Sequence, residues 1–191
     1  MLLGVLCFRS IPKFLSLRLI GGGFFVWYDR KMGLDIYKKK RQFHITSEPE
    51  GVETKKSLSR FVVNEHHASR LHFDFRLELP DEFTHGPIVL KSWAVPKGIP
   101  LEKGIKHLAV ETEDHPVAYL TFEGVIPQGE YGAGKSIIWD TGTFSDIEFE
   151  KKDTEVTVIR CILKGKKLKG AYVLVKTHFL GKKNSWLLFK Q

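Results

Sequence analysis

From Leu71 to Leu79 the chain alternates without a break: Leu71, Phe73, Phe75, Leu77 and Leu79 are apolar, and His72, Asp74, Arg76 and Glu78 between them are polar. Successive side chains of a β-strand point to opposite faces, so this stretch can bury one face and present the other. A helix would scatter the same residues around its circumference, which leaves a strand as the reading. Such a strand needs neighbours. Candidates are Phe61 to Val63, Leu90 to Val95, Leu108 to Thr112, Val117 to Phe122, Ser136 to Trp139, Glu155 to Leu163, Tyr172 to Lys176 and Trp186 to Lys190. Turn signals separate them at Pro80-Asp81, Pro96-Lys97-Gly98, Pro127-Gln128-Gly129, Thr141-Gly142 and Gly165. Helical periodicity is hard to find after Lys56. The expected fold is mainly β, a compact, largely antiparallel β-barrel with minor helical segments.

A length of 191 residues suits one domain with its own core. The apolar and basic segment from Met1 to Lys31 is read as an extension upstream of a start at Met32, with no role in the fold; residues 32–191 are the domain. An amphipathic surface helix through Leu2, Val5, Leu6, Phe8 and Ile11 is the alternative for that extension. Arg9, Lys13 and Arg18 interrupt its apolar residues, unlike a signal peptide. No apolar run is long enough for a membrane-spanning helix, so no membrane partner is expected. Cys7 and Cys161 stand far apart in no metal-binding spacing, which fits a reducing, cytoplasmic setting. Lys+Arg 30 against Asp+Glu 22 leaves a net charge of +8, a balance that favours an anionic partner such as nucleic acid.

The polar face of the alternating strand carries the chemistry. His72, Asp74 and Arg76 project to one side, where an imidazole and a carboxylate make a ligand pair for a divalent transition metal. Arg76 adds a planar fork of donors suited to phosphate. An isolated His-x-Asp pair most often meets only water. Here, however, His66 precedes it as a candidate third ligand, and Glu113-Asp114-His115-Pro116 with Tyr119 supplies a second polar cluster. The glycine-rich stretch from Gly124 to Gly134 lacks a Gly-Lys-Ser/Thr ending in register and reads as loop geometry rather than a nucleotide cradle. Trp93, Trp139 and Trp186 read as packing residues. The clusters Lys38 to Arg41, Lys164 to Lys169 and Lys182-Lys183 are solvated turns or contacts to a phosphate backbone.

The strings HHASRLHFDFRLEL, LKSWAVPKG, LAVETEDHPVAY and FEGVIPQGEYGAGKSIIWDTGT, in that order, closely resemble the 3′-phosphoesterase family. That family comprises the end-healing module of bacterial ligase D and its stand-alone relatives in bacteria and archaea. The resemblance runs from Tyr37 to Lys190. It implies metal ligands at His66, His72 and Asp74, with Mn2+ as the expected metal and Zn2+ or Co2+ as alternatives. It also implies catalytic roles for Arg76, Glu113, His115 and Tyr119, and substrate-phosphate roles for Arg76, His115, Arg41, Glu48 and His107. Two positions depart from the family pattern: Gln42 stands where an Asp is common, and His107 where an Arg is usual. An insertion falls roughly between Glu82 and Ile88.

The activity so implied is removal of 3′-phosphates and 3′-terminal ribonucleotides from DNA or RNA strands, leaving a 3′-hydroxyl. The expected partners are primer–template 3′ ends, with a ligase or a polymerase/primase of the same repair pathway. The alternative is a non-catalytic basic β-barrel that binds nucleic acid, which would show exposed aromatics on one strand face and no metal-ligand cluster.

Overall fold

Two apolar faces, rather than one, organise the strands of this chain. The computed structural model describes residues 34–191, apart from 53, 55, 84, 179 and 180, together with the backbones of Leu15–Ile20 (β1) and Phe24–Asp29 (β2). The main elements are α1 (Asp35–Lys39), β3 (Arg60–His67), β4 (Leu71–Pro80), β5 (Ile88–Val95), β6 (Lys106–Glu111), β7 (Gly124–Ile126), β8 (Gly134–Lys152), β9 (Glu155–Gly165), β10 (Lys169–Thr177) and β11 (Ser185–Lys190). The sheet runs β3-β4-β5-β6-β11-β10-β9-β8 and closes through a β3–β8 pairing, with β7 added alongside β8. Every pair in it is antiparallel. The expected antiparallel barrel is therefore the fold. Closure leaves no edge among the eight barrel strands.

The barrel interior is filled from every strand, by Phe61, Val63, Phe75, Leu77, Trp93, Ala109, Phe144, Ile159, Leu163, Tyr172, Trp186 and Leu188 among others. Trp93 and Trp186 meet there edge to face, 5.9 Å between centroids. Each such large side chain contributes about 1.5–3 kcal/mol by leaving water. Trp139 is only partly buried, packing on Phe73 with Lys167 over its ring.

The opposite face of β3–β5 is not solvated. A second cluster of Tyr37, Val62, Leu90, Tyr119, Leu120, Phe122 and Ile126 covers it, brought by the α1 segment and by the chain after β6. Asp74, Arg76 and Glu78 consequently lie buried on a face where the sequence pattern alone suggests exposure.

Several local expectations change. Val117 to Phe122, expected as a strand, forms a 3-10 turn, η1 (Val117–Thr121), after Pro116 at φ −68. Its continuous apolar run carries no period to separate the two readings. Thr141-Gly142, expected as a turn, lies inside β8, where that strand passes from β3 to β9. A Cβ at Gly142 would come within 2.3 Å of the Lys164 carbonyl oxygen, so glycine serves close backbone approach. The insertion forms the β4–β5 turn, with Phe83 at positive φ packed on Phe149. In the N-terminal extension, β1 and β2 pair antiparallel with one another, a strand pattern not expected there. The residues proposed for an amphipathic helix, Leu2 to Ile11, lie outside the described residues, as does Cys7.

Candidate metal centre

β3 and β4 align His66 opposite His72, Asn64 opposite Asp74 and Val62 opposite Arg76. Residues opposite one another in an antiparallel pair share a face, so the chain reversal between His67 and Leu71 brings the second histidine beside the first from the neighbouring strand. The ligand atoms of His66, His72 and Asp74 lie within 4.8 Å of one another. His66 Nδ1 stands 3.4 Å from Asp74 Oδ2, and His72 Nε2 stands 3.3 Å from Asp74 Oδ1.

Backbone carbonyls set the orientation of both rings. His66 Nε2 donates to the Gly132 carbonyl at 2.9 Å, and His72 Nδ1 donates to the Arg70 carbonyl at 2.9 Å. Gly132 adopts φ +78, a turn conformation that favours glycine. A carbonyl only accepts, so each neutral ring carries its proton there and turns its lone pair toward Asp74. Two lone pairs facing one carboxylate repel unless a cation stands between them. The donor set thus fits a divalent metal, with both rings oriented from behind as metal-binding histidines are. Burial favours a neutral Asp74, but the Arg76 guanidinium and the two histidines outweigh it and hold the carboxyl well below its usual range. Without a cation there, a proton gained at His72 Nε2 is donated to Asp74, which raises the His72 pKa against the opposing effect of burial.

Arg76 links this centre to the second cluster. It donates from Nη1 to Asn64 Oδ1 at 2.7 Å and from Nη2 to Asp74 Oδ2 at 3.0 Å. Its buried Nε has no hydrogen-bond partner among the described residues. Its guanidinium lies 4.7 Å from the centroid of the Tyr119 ring. Tyr119 donates to Glu48 Oε1 at 3.0 Å, and Arg41 Nε donates to the same oxygen at 2.8 Å. Arg41 continues to Glu113 Oε1 at 3.1 Å and to His115 Nε2 at 3.2 Å. Lys40 donates to Glu113 Oε2 at 3.0 Å; burial favours a neutral Glu113, and the bonds from Lys40 and Arg41 reverse that and lower its pKa.

His115 is held by backbone pairing of its own residue with Leu90. Its Nδ1 donates to the Glu113 carbonyl at 2.9 Å, with Ser92 Oγ 3.2 Å away, so Nε2 presents its lone pair to Arg41. Burial, then the Arg76 and Arg41 cations, push its pKa well below 6.5. The folded pKa being depressed, the stability tied to this neutral ring is present above pH 6.5 and is lost as pH falls through the folded value. Below pH 6.5 the native chain should lose up to about 1.4 kcal/mol per pH unit relative to His115→Gln. Urea unfolding of both metal-free proteins at pH 5, 6 and 7 measures that difference.

Arg41, Glu48, Arg76, Glu113, His115 and Tyr119 therefore gather beside the His66–His72–Asp74 centre. His107 does not. Through the pairings of β6 with β5 and β11 it shares the barrel-interior face of Trp93, Ala109, Trp186 and Leu188, and its Nδ1 donates to the Gly98 carbonyl at 2.7 Å. His107 thus faces away from the centre, and His107→Ala should leave the KM for a 3′-phosphorylated strand within about twofold. Gln42 sits at the exposed rim, donating to Glu130 at 3.2 Å. Sequence reasoning missed Asn64, which steers Arg76, and Ser92, which meets His115; Asn64 shares the parity of His66, the one signal that marks it.

Residues 64–176 match the model of the DNA ligase D 3′-phosphoesterase domain. The chain is 45% identical over 157 residues to the multifunctional non-homologous end joining protein LigD of Pseudomonas aeruginosa, covering 81% of this chain and 18% of that protein. It is 44% identical over 149 residues to the multifunctional non-homologous end joining DNA repair protein LigD of Mycobacterium tuberculosis, 76% of this chain and 18% of the relative. To its counterpart from Mycolicibacterium smegmatis it is 41% identical over 162 residues, 81% of this chain and 20% of the relative. The chain thus spans about a fifth of the length of these relatives. A closed barrel, a two-histidine, one-aspartate centre and this family match converge: the chain belongs to the DNA ligase D 3′-phosphoesterase domain family.

Proposed function

We propose that residues 32–191 form a metal-dependent 3′-end-healing phosphoesterase acting on DNA or RNA strands. Two imidazole lone pairs and one carboxylate aimed at a common point carry this reading. His66 Nδ1, His72 Nε2 and Asp74 would hold a divalent cation, Mn2+ first among the candidates. Such a cation supplies Lewis-acid polarisation of a phosphoryl oxygen. Arg76, with its unpartnered Nε, and Arg41 bind the non-bridging oxygens and oppose the charge that builds on them. Glu48 and Glu113 hold Arg41, and Tyr119 closes the pocket against Glu48 and Arg76. Resting His115 accepts rather than gives a proton at Nε2; a phosphate dianion beside it raises its basicity, and a proton gained there is available to the leaving oxygen.

The proposed substrates are strands ending in a 3′-phosphate or a 3′-ribonucleotide, and the product is a 3′-hydroxyl for a ligase or polymerase to use. The non-catalytic alternative asks for aromatics on an open strand face; the exposed large apolar side chains of the described residues include one aromatic, Tyr131, in a loop. No described helix is long and apolar enough to cross a membrane. The deciding experiment incubates the protein with a 3′-phosphorylated primer–template, with Mn2+ and with chelator. Metal-dependent phosphate release is expected; tight binding without release under both conditions would favour the binding module.

A further inference from the structure

We propose that Tyr131 is the platform on which the base of the 3′-terminal nucleoside stacks, so that the loop before β8 both selects an intact terminal base and aligns the strand with the metal centre. This rests on the proposed 3′-end reading. Tyr131 is 48% exposed and is the one aromatic among the exposed large apolar side chains of the described residues. It borders the pocket rather than standing alone on the surface. Its hydroxyl lies 3.5 Å from Glu113 Oε2, and its ring centroid lies 5.6 Å from the Arg41 guanidinium carbon. Lys40 Nζ sits over the ring at 4.2 Å while also donating to Glu113.

The ring is held in place. Backbone bonds from Glu130 to Pro127 and from Ala133 to Glu130 bracket it in consecutive turns. The next residue, Gly132, supplies the carbonyl that orients His66. One short loop therefore places a half-exposed aromatic ring beside Arg41 and one residue from the support of a metal ligand. A phosphate on Arg41 has this ring centroid 5.6 Å from the guanidinium that holds it. Stacking on an aromatic is tolerant of base identity, so the platform asks for a base without choosing among them. Lys40, the last of three exposed lysines directly before Arg41, is placed to meet the preceding phosphate or to keep its contact with the ring.

The test measures binding by the metal-free protein, which separates recognition from turnover. A 3′-phosphorylated duplex carrying 2-aminopurine at its 3′ terminus is titrated with native protein, Tyr131→Phe and Tyr131→Ala. The same titration is repeated with an abasic 3′-terminal sugar phosphate. Native protein and Tyr131→Phe should quench the probe and bind alike, whereas Tyr131→Ala should bind at least about tenfold more weakly. The abasic end should bind the native protein and Tyr131→Ala equally. Calorimetric titration with Mn2+ should find the same affinity in native protein and Tyr131→Ala, because the Gly132 carbonyl that orients His66 is backbone. Equal binding of intact and abasic ends by native protein, or an undiminished Tyr131→Ala, would overturn the platform while leaving the phosphoesterase reading standing. No preference for a 3′-phosphate over a 3′-hydroxyl end in any variant would overturn both.

Discussion

His72→Ala and Asp74→Asn are each expected to lower metal-dependent turnover by about a thousandfold or more, with the barrel intact. The loss corresponds to the several kcal/mol that a Lewis acid contributes at a transition state. The barrel survives because its interior packing comes from Phe75, Leu77 and their neighbours, on the opposite face of β4. Asp74→Asn is preferred to Ala here because the amide keeps the volume and one acceptor for Arg76 Nη2. Three readouts are needed together: phosphate release from a 3′-phosphorylated primer–template, calorimetric titration with Mn2+, and thermal melting. Turnover and metal affinity should fall together while the melting temperature of His72→Ala moves by only a few degrees; Asp74→Asn leaves the Arg76 charge without its carboxylate and should melt lower, still in one cooperative transition. Native turnover in both variants would exclude this centre. Lost turnover with native metal affinity would place the working metal elsewhere.

Arg76→Ala should lose both activity and stability, and the stability deficit should shrink when metal is added. Arg76 and Asp74 are buried together, and removing one member of a buried ion pair leaves the other charge uncompensated, at a cost of about 3–5 kcal/mol. Asn64 Oδ1 loses its donor in the same stroke, while its Nδ2 keeps the Phe122 carbonyl. A divalent cation at His66, His72 and Asp74 neutralises the stranded carboxylate, so urea unfolding with and without Mn2+ should show a smaller gap between variant and native protein in the metal. Turnover should nonetheless stay about a hundredfold or more below native, because the donors proposed to meet the transferring phosphoryl group are gone. Arg76→Lys keeps the charge but cannot serve Asn64 and Asp74 together with a fork of donors, and should fall between the two. A deficit unchanged by metal would mean that Arg76 acts on packing against Tyr119 rather than through Asp74.

How much of this was legible beforehand depended on whether period carried the information. The unbroken alternation of β4 gave away its strand, its buried face and the shared side of His72, Asp74 and Arg76. It could not say what lay over that side, because the covering cluster of Tyr37, Tyr119 and Phe122 comes from distant segments. His107 shows the converse. Leu108 and Val110 are apolar on one face of β6 and Ala109 on the other, so apolarity does not say which parity faces inward. Resemblance of strings carried His107 to the phosphate; pairing of β6 with β11 turns it to the interior. The 3-10 turn at Val117–Thr121 was lost for a related reason, since six residues of mixed apolar character hold no period. Asn64 was passed over because β3 was read as ending at Val63, whereas it continues to His67 and delivers both Asn64 and His66.

The two carbonyls behind His66 and His72 have a consequence for inheritance. Gly132 and Arg70 contribute main-chain oxygens, which every amino acid possesses. A substitution at position 70 changes the side chain and leaves the acceptor, so the tautomer of His72 is insulated from point mutation there. Position 132 is less free, since its positive φ restricts the choice of residue. Losing either support outright takes a change in the path of the chain, such as an insertion or deletion in the β3–β4 turn or in the loop before β8. Side-chain substitution at position 70 should therefore leave metal binding unchanged, whereas insertion or deletion at either place should weaken it.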